Sequence, residues 1–180
     1  MVEGRGDYGA APIVLRKYLQ SIGEYRDILG SPVNVKGVGN VSKPGGIERF
    51  VSAVGNRPGC RGVLVILDSD DNAVCELGPT LAARIQDSCA CPVAVALADR
   101  DFEDWIVASA ESLDLGFGWS DTSRGLTLIE DALYPRAYTK PVDQPRLAAK
   151  IDLDLARGRS YSFNRLLERF DSLVMGLDLN

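Results

Sequence analysis

The chain has 180 residues, with 25 acidic side chains against 20 lysines and arginines, no histidine, and a formal net charge of −5. One domain is the expectation at this length. The acidic balance excludes a broad electrostatic grip on nucleic acid, although an enzyme that meets a phosphodiester through bound cations stays open. The missing histidines exclude Ser-His-Asp and Cys-His catalysis, imidazole bases and His-ligated zinc.

In chain order, VEGRGD places Glu3 in a glycine-flanked turn behind only Met1 and Val2. Ala11, Leu15, Tyr18, Leu19 and Ile22 share one face of a predicted helix over residues 10–22, with Pro12 in its first turn. PVNVK (32–36) alternates like a strand, GVGNVSKPGG (37–46) reads as a loop, and a helix follows over 47–54. GVLVILD (62–68) is a continuous apolar run ending on an acid, the mark of a strand buried on both faces of a parallel sheet. Leu77, Leu81 and Ile85 predict a helix, and PVAVALAD (92–99) repeats the buried-strand pattern. Strand and helix alternate, so the fold class is α/β.

The helix predicted over 101–113 carries a stripe of Phe102, Trp105, Ile106, Ser109, Ala110 and Leu113. Glu103 falls on the edge of that stripe and Asp104 points away from it, toward solvent. A loop over 116–125 and a short helix over 126–133 follow. YPRAYTKPVDQP (134–145), with three prolines, reads as irregular. Two helices end the chain, the first lined by Leu147, Ile151 and Leu155, the second capped by Ser162. Residues 1–135 form the α/β domain and 136–180 a helical extension packed on it.

Cys60, Cys75, Cys89 and Cys91 include no CxxC pair, which argues against structural zinc and for free thiols. No run approaches the ~20 apolar residues that span a bilayer, and no signal peptide is evident. The expected location is therefore the cytoplasm, without membrane association.

Acids stand at the ends of the predicted strands: Asp68 and Asp70 after one, Asp99 and Asp101 after the other, and Glu3 after a first strand if there is one. Ligands of open α/β sheets bind at those ends. Carboxylates gathered there repel one another unless a divalent cation holds them, and Mg²⁺ needs only one or two plus water and substrate phosphate. Such acids also serve as helix caps and turn formers. A calcium loop starting at Asp68 fails, because Ala73 and Pro79 stand where Gly and Glu are required. An aspartyl-phosphate hydrolase would use Asp68 as nucleophile and Asp70 as acid, but Asn72 replaces that superfamily's usual Thr or Val.

Taken together, VEGRGD, VLVILDSDD, ADRDFEDWIVAS and the tail YTKPVDQPRLAAKIDLDLARGRSYSFNRLLERF resemble a bacterial family of uncharacterised Toprim-like proteins often encoded beside ATPases. The likeness covers nearly the whole chain. It implies a Toprim-like, Rossmann-like, mainly parallel sheet flanked by helices, with C-terminal helical additions. It further implies that Glu3, Asp68 and Asp70 hold Mg²⁺ (or Mn²⁺), joined by Glu103. Glu3 would act as general acid or base, and Lys140 in YTKP would steady developing negative charge. The activity implied is that of a Mg²⁺-dependent nuclease on DNA or RNA, in antiviral defence with an ATPase partner.

The alternatives are a non-catalytic module that regulates an ATPase, and a phosphatase or nucleotidyl-transfer enzyme acting on small phosphorylated metabolites. The family usually has several strand residues before the VEG turn, where this chain shows Met1 and Val2. That leaves either a start placed too far downstream or a lost strand, with Glu3 on a fraying terminus.

Overall fold

The computed structural model describes residues 1–70 and 72–177. Its helices are α1 (Arg5–Ser21), α2 (Val38–Ser42), α3 (Gly46–Gly55), α4 (Val74–Ile85), α5 (Phe102–Val107), α6 (Gly125–Leu133), α7 (Lys140–Ala148), α8 (Leu153–Arg159) and α9 (Tyr161–Leu177). Two strands, β1 (Val63–Asp68) and β2 (Val93–Ala98), pair in parallel, Val63 opposite Val93 and Asp68 opposite Ala98. The fold is α/β with a two-stranded parallel sheet between helical layers. Among the described residues no helix is long and apolar enough to cross a membrane.

Strand alternation sorts the core into two halves. Val63, Val65, Leu67, Val95 and Leu97 pack with residues of α3 and α4. Ile66, Ala96 and Ala98 face the opposite way, onto α1, α5 and α9. The two alanines on β2 leave room for α9 to lie close, and α9 fills it with Phe163, Leu166, Leu167 and Phe170. Trp105 is fully buried between Phe102 and Phe163, with ring centroids at 5.3 and 6.0 Å.

The sheet has one further rung. Val2 bridges Asn34 on one side and Ile66 on the other, both in parallel. Val2 N–H donates to Val33 O (2.8 Å), and Val2 O accepts from Val35 N–H (2.9 Å). Met1 O accepts from Ile66 N–H (2.9 Å). With Val2 only 2% exposed, Glu3 is anchored rather than fraying. The strand expected over 32–36 is reduced to the Asn34 bridge with Val2.

Other boundaries move for identifiable reasons. α1 begins at Arg5, five residues before the expected start at residue 10, because Asp7 accepts from Gly4 N–H (2.9 Å) and fastens its first turn. The expected loop over 37–46 contains α2. The helix expected over 101–113 stops at Val107 and resumes as a 3₁₀ turn over Ala110–Ser112. The segment expected to be irregular, 134–145, supplies the start of α7. Pro141 lies in its first turn, and Gly9 of α1 lets Pro145 approach, since a Cβ there would stand 2.7 Å from the proline Cγ.

Leu147, Ile151 and Leu155 do not share one helix. The Asp152 carboxylate accepts from the N–H groups of Asp154 and Leu155 and starts α8 afresh. Ser160, not Ser162, caps α9, accepting from Phe163 N–H (3.2 Å). Ser162 is instead buried, accepting from Trp105 Nε1 (2.8 Å) and donating to Asp99 Oδ2 (3.0 Å). A buried indole N–H needs such an acceptor.

Gly125 opens α6 where that helix crosses α5, and a Cβ there would stand 2.5 Å from the carbonyl carbon and oxygen of Glu103. Backbone cannot yield as a side-chain tip does. Gly125→Ala is expected to destabilise the fold by about 3 kcal/mol, the upper range for overpacking, as a fall in urea midpoint at unchanged slope. A change under 0.5 kcal/mol, the scale of an ordinary surface substitution, would contradict this packing.

Candidate functional site

The carboxyl end of the sheet meets the N-termini of α1, α5 and α7, and four carboxylates and one ammonium gather there. Glu3 leaves the Val2 rung, and its Oε2 accepts from Asp68 N–H (3.0 Å). That bond continues the sheet's ladder through a side chain and holds Glu3 beside the end of β1. Asp7 is 4% exposed, with Oδ1 accepting from Gln144 Nε2 (2.8 Å) and Oδ2 from Gly4 N–H. Glu103, in the first turn of α5, is fully buried. Its Oε1 accepts from Tyr138 OH (2.8 Å), and its Oε2 stands 3.3 Å from Lys140 Nζ.

Asp68 is the pressure point of this arrangement. Burial, and after it the charge of Asp7, pushes its carboxyl up to about 9, with Glu3 and Glu103 adding to the push and Lys140 opposing it. Burial also raises Glu103, against the pull of Lys140 and the Tyr138 hydroxyl. For Lys140, burial acts to remove the proton, but Glu103, Asp68 and Asp7 outweigh it and the ammonium is held above its usual value. Tyr138 is raised by burial and by Glu103. One ammonium thus faces more carboxylate than it neutralises.

The structure brings Glu3, Asp68, Glu103 and Lys140 together. It sets Asp70 apart. Ser69 is buried, and Asp70 follows it at φ 50°, exposed, with its N–H donating to Arg100 O (3.1 Å). Asp70 is felt by Arg124, which is held chiefly by Asp101. Asp101 Oδ2 accepts from Arg124 Nε (2.8 Å). Asp104 is not solvated, since it accepts from Arg100 Nε (2.7 Å) and Gly125 N–H (2.6 Å) and ties α5 to the start of α6. Among the described residues, three buried oxygens accept no hydrogen bond: Asp101 Oδ1, Glu103 Oε2 and Gln144 Oε1.

Sequence patterning misses Asp7, Tyr138 and Gln144. Asp7 stands four residues after Glu3, in the first turn of the helix that begins just past it. Gln144 lies one helical turn past Lys140, visible only once α7 is known to begin at Lys140.

Among the described residues no three acid or thiol side chains are placed to hold a metal ion between them. The donor set still fits Mg²⁺, which asks for one or two carboxylate oxygens and completes its shell with water and phosphate. Burial and the surrounding acids raise the Asp68 carboxyl with Lys140 opposing them, a setting that a further cation would relieve. No family model, curated protein or solved structure matches the chain.

A carboxyl raised in the folded state binds its proton more tightly there than in the unfolded chain. Stability from Asp68 is then full below pH 4 and is lost as pH rises toward 9. With divalent cations chelated, the urea midpoint is expected to fall from pH 5 to pH 9. Asp68→Asn should flatten that slope and be the more stable protein at pH 9. Parallel profiles for the two proteins would show that Asp68 is not held protonated.

Proposed function

We propose that the protein hydrolyses phosphodiesters in DNA or RNA with a divalent cation, as a Toprim-type nuclease. The observation that carries the proposal is the surplus of carboxylate around Lys140 at the carboxyl end of the sheet, with Asp68 pushed up to about 9 by burial and its neighbours. Glu3 and Asp68 would hold the cation. When bound, Mg²⁺ would polarise the phosphoryl group and lower the pKa of a water.

The chain's own groups supply the rest. Glu3, fixed by Asp68 N–H, is oriented to accept a proton from an attacking water. Lys140 presents its ammonium to the charge that develops on phosphoryl oxygens. Tyr138 and Glu103 hold Lys140 at that spot, through the Tyr138–Glu103 hydrogen bond and the 3.3 Å ion pair. Asp70, exposed at the rim, is available to a second cation or to substrate-bound water rather than to the Glu3–Asp68 pair. On the resemblance, the partner is an ATPase and the setting antiviral defence.

A second reading has one observation in its favour. Lys140 already stands as an internal counter-ion, and no three acids are placed for a metal among the described residues. That supports a non-catalytic module that keeps the fold and acts through a partner ATPase.

Calorimetric titration with Mn²⁺ and a cleavage screen on single-stranded DNA, duplex DNA and RNA separate the two. The nuclease reading expects saturable Mn²⁺ binding that Asp68→Asn abolishes. It also expects cleavage reduced about 10²-fold or more by Glu3→Gln or Lys140→Met, the range for a lost acid–base or electrostatic group. Circular dichroism confirms that each variant is folded. Flat titrations and no cleavage by the wild-type protein would remove the nuclease reading and leave the module.

A further inference from the structure

Three of the four cysteines meet at the amino ends of the two strands, the edge of the sheet away from the acids. Cys60 stands three residues before β1, and Cys89 and Cys91 lie in the bend between α4 and β2. Cys91 Sγ is 3.5 Å from Cys89 Sγ and 4.0 Å from Cys60 Sγ. All three thiols are free and their residues half-buried, while Cys75 is exposed in the first turn of α4.

The surroundings hold the three sulfurs together. Cys89 Sγ donates to Cys91 O (3.4 Å), and Cys60 Sγ to Gly62 O (3.5 Å). Gly55, the last residue of α3, opens the space. A Cβ there would stand 2.4 Å from Cys89 Cβ, 2.7 Å from its Sγ and 3.4 Å from Cys91 Sγ. Gly55 is helical and needs no left-handed backbone, so its bare Cα serves this contact.

The backbone is also in place for a covalent link. Val63 N–H donates to Pro92 O (2.9 Å) and Val63 pairs with Val93, so the segment ahead of β1 lies beside the segment ahead of β2. Neighbouring strands are about 4.8 Å apart, inside the roughly 4.4–6.8 Å between Cα atoms that a disulfide spans.

We infer that this cluster is a disulfide-exchange site, which takes oxidising equivalents from a low-molecular-weight disulfide and keeps them as a Cys60–Cys91 bond. The Cys89 thiolate attacks the small disulfide, forms a mixed disulfide and releases one small thiol. Cys91 attacks the Cys89 sulfur, and the second small thiol leaves. Cys60 then attacks the Cys91 sulfur, and Cys89 departs as a thiol. Two protein thiols are oxidised, one small disulfide is reduced to two thiols, and the two protein protons end on those thiols.

The order follows from the environment of each sulfur. Burial, and then the hydrogen bond of Cys89, pushes the Cys91 thiol up to about 12. Thiolates do the attacking, so Cys91 does not open the sequence. Charge on Cys60 and Cys89 adds to that push. A Cys89 sulfur held in a mixed disulfide carries no charge, so the first step eases the second. The bond settles on Cys60 because Cys89 and Cys91 are 2 residues apart, a loop too short and stiff to gain from closure, whereas Cys60 and Cys91 are 31 apart. It staples the starts of β1 and β2, and the stability of the fold then answers the thiol–disulfide balance around it.

The probe is glutathione disulfide, added to the full chain carrying Cys75→Ser, with glutathione setting the ratio. Quenched samples are read by intact mass and tryptic mapping. The expected product has lost two hydrogens, joins the peptide ending at Arg61 to the peptide holding Cys91, and leaves Cys89 free. Its urea midpoint should exceed that of the reduced protein. Cys89→Ser should slow formation about tenfold through loss of the leading thiol and leave the final bond in place. Cys91→Ser should stop at glutathione adducts, and Cys91→Ala repeats the test should serine unsettle that half-buried position. Circular dichroism of the reduced variants confirms folding. In concentrated urea the preference for Cys60–Cys91 should vanish.

Glutathione adducts with no internal bond overturn the inference, as do thiols that stay unreacted in excess glutathione disulfide. A final bond between Cys89 and Cys91 overturns it too, as does internal oxidation of Cys91→Ser and Cys91→Ala at the unsubstituted rate. An unchanged rate in Cys89→Ser overturns the relay.

Discussion

The two-sided pairing of Val2 is the constraint on which the site depends. A single rung lies between Asn34 and Ile66, held by backbone bonds on both sides and by burial of its side chain. Burying a valine contributes roughly 1.5–3 kcal/mol, enough to keep so short a segment from fraying. Without it Glu3 would have no fixed place, the Glu3 bond to Asp68 N–H would not form, and the loop over 28–37 would have nothing to pair with. α1 follows directly, so the direction of that helix and the position of Asp7 are set by the same rung.

Once the rung is fixed, electrostatics explains the shape of the site. Glu3 arrives from the Val2 rung, Asp7 from α1, Asp68 from β1, Glu103 from α5 and Lys140 from α7. Each acid lies at or before a helix N-terminus or a strand end, where free N–H groups favour negative charge. That makes their gathering tolerable one at a time but not together. Lys140 is the one cation among them, and it is drawn onto Glu103 because Glu103 is the most deeply buried of the four. Tyr138 completes the arrangement by giving Glu103 a neutral donor on its other oxygen. Asp68 is left facing the imbalance, and burial and then its neighbours push its carboxyl up to about 9.

What was legible in the sequence follows from where the information is local. VLVIL and VAVALA give β1 and β2 to within a residue or two, since a strand buried on both faces needs an unbroken apolar run. The stripe of α9 is likewise plain. The start of α7 is hidden, because three prolines in twelve residues read as a break, whereas two of them are accommodated in the helix, one in its first turn and one against Gly9. Asp70 shows the opposite failure. Its place in the DSD motif pairs it with Asp68 on paper, but the left-handed turn after Ser69 sends it to the surface. Glu103 lay on the edge of its helical stripe and is fully buried, because α6 closes over α5 at Gly125, a contact between distant segments that no local pattern reveals.

The two ends of the sheet are mechanically one object. The backbone that carries Glu3 to the acids is the same backbone that pairs on both sides as Met1 and Val2. Glu3 accepts from Asp68 N–H and Gly37 N–H, and the backbone just before it bonds Val33 and Val35 on one side and Leu64 and Ile66 on the other. Each residue's conformational entropy there, about 1–2 kcal/mol per residue, is set against its own bonds. The geometry of Glu3 beside Asp68 is therefore tied to the pairing of Met1 and Val2 with residues 33–35 and 64–66, through ordinary sheet cooperativity along a few residues and with no need of a longer path.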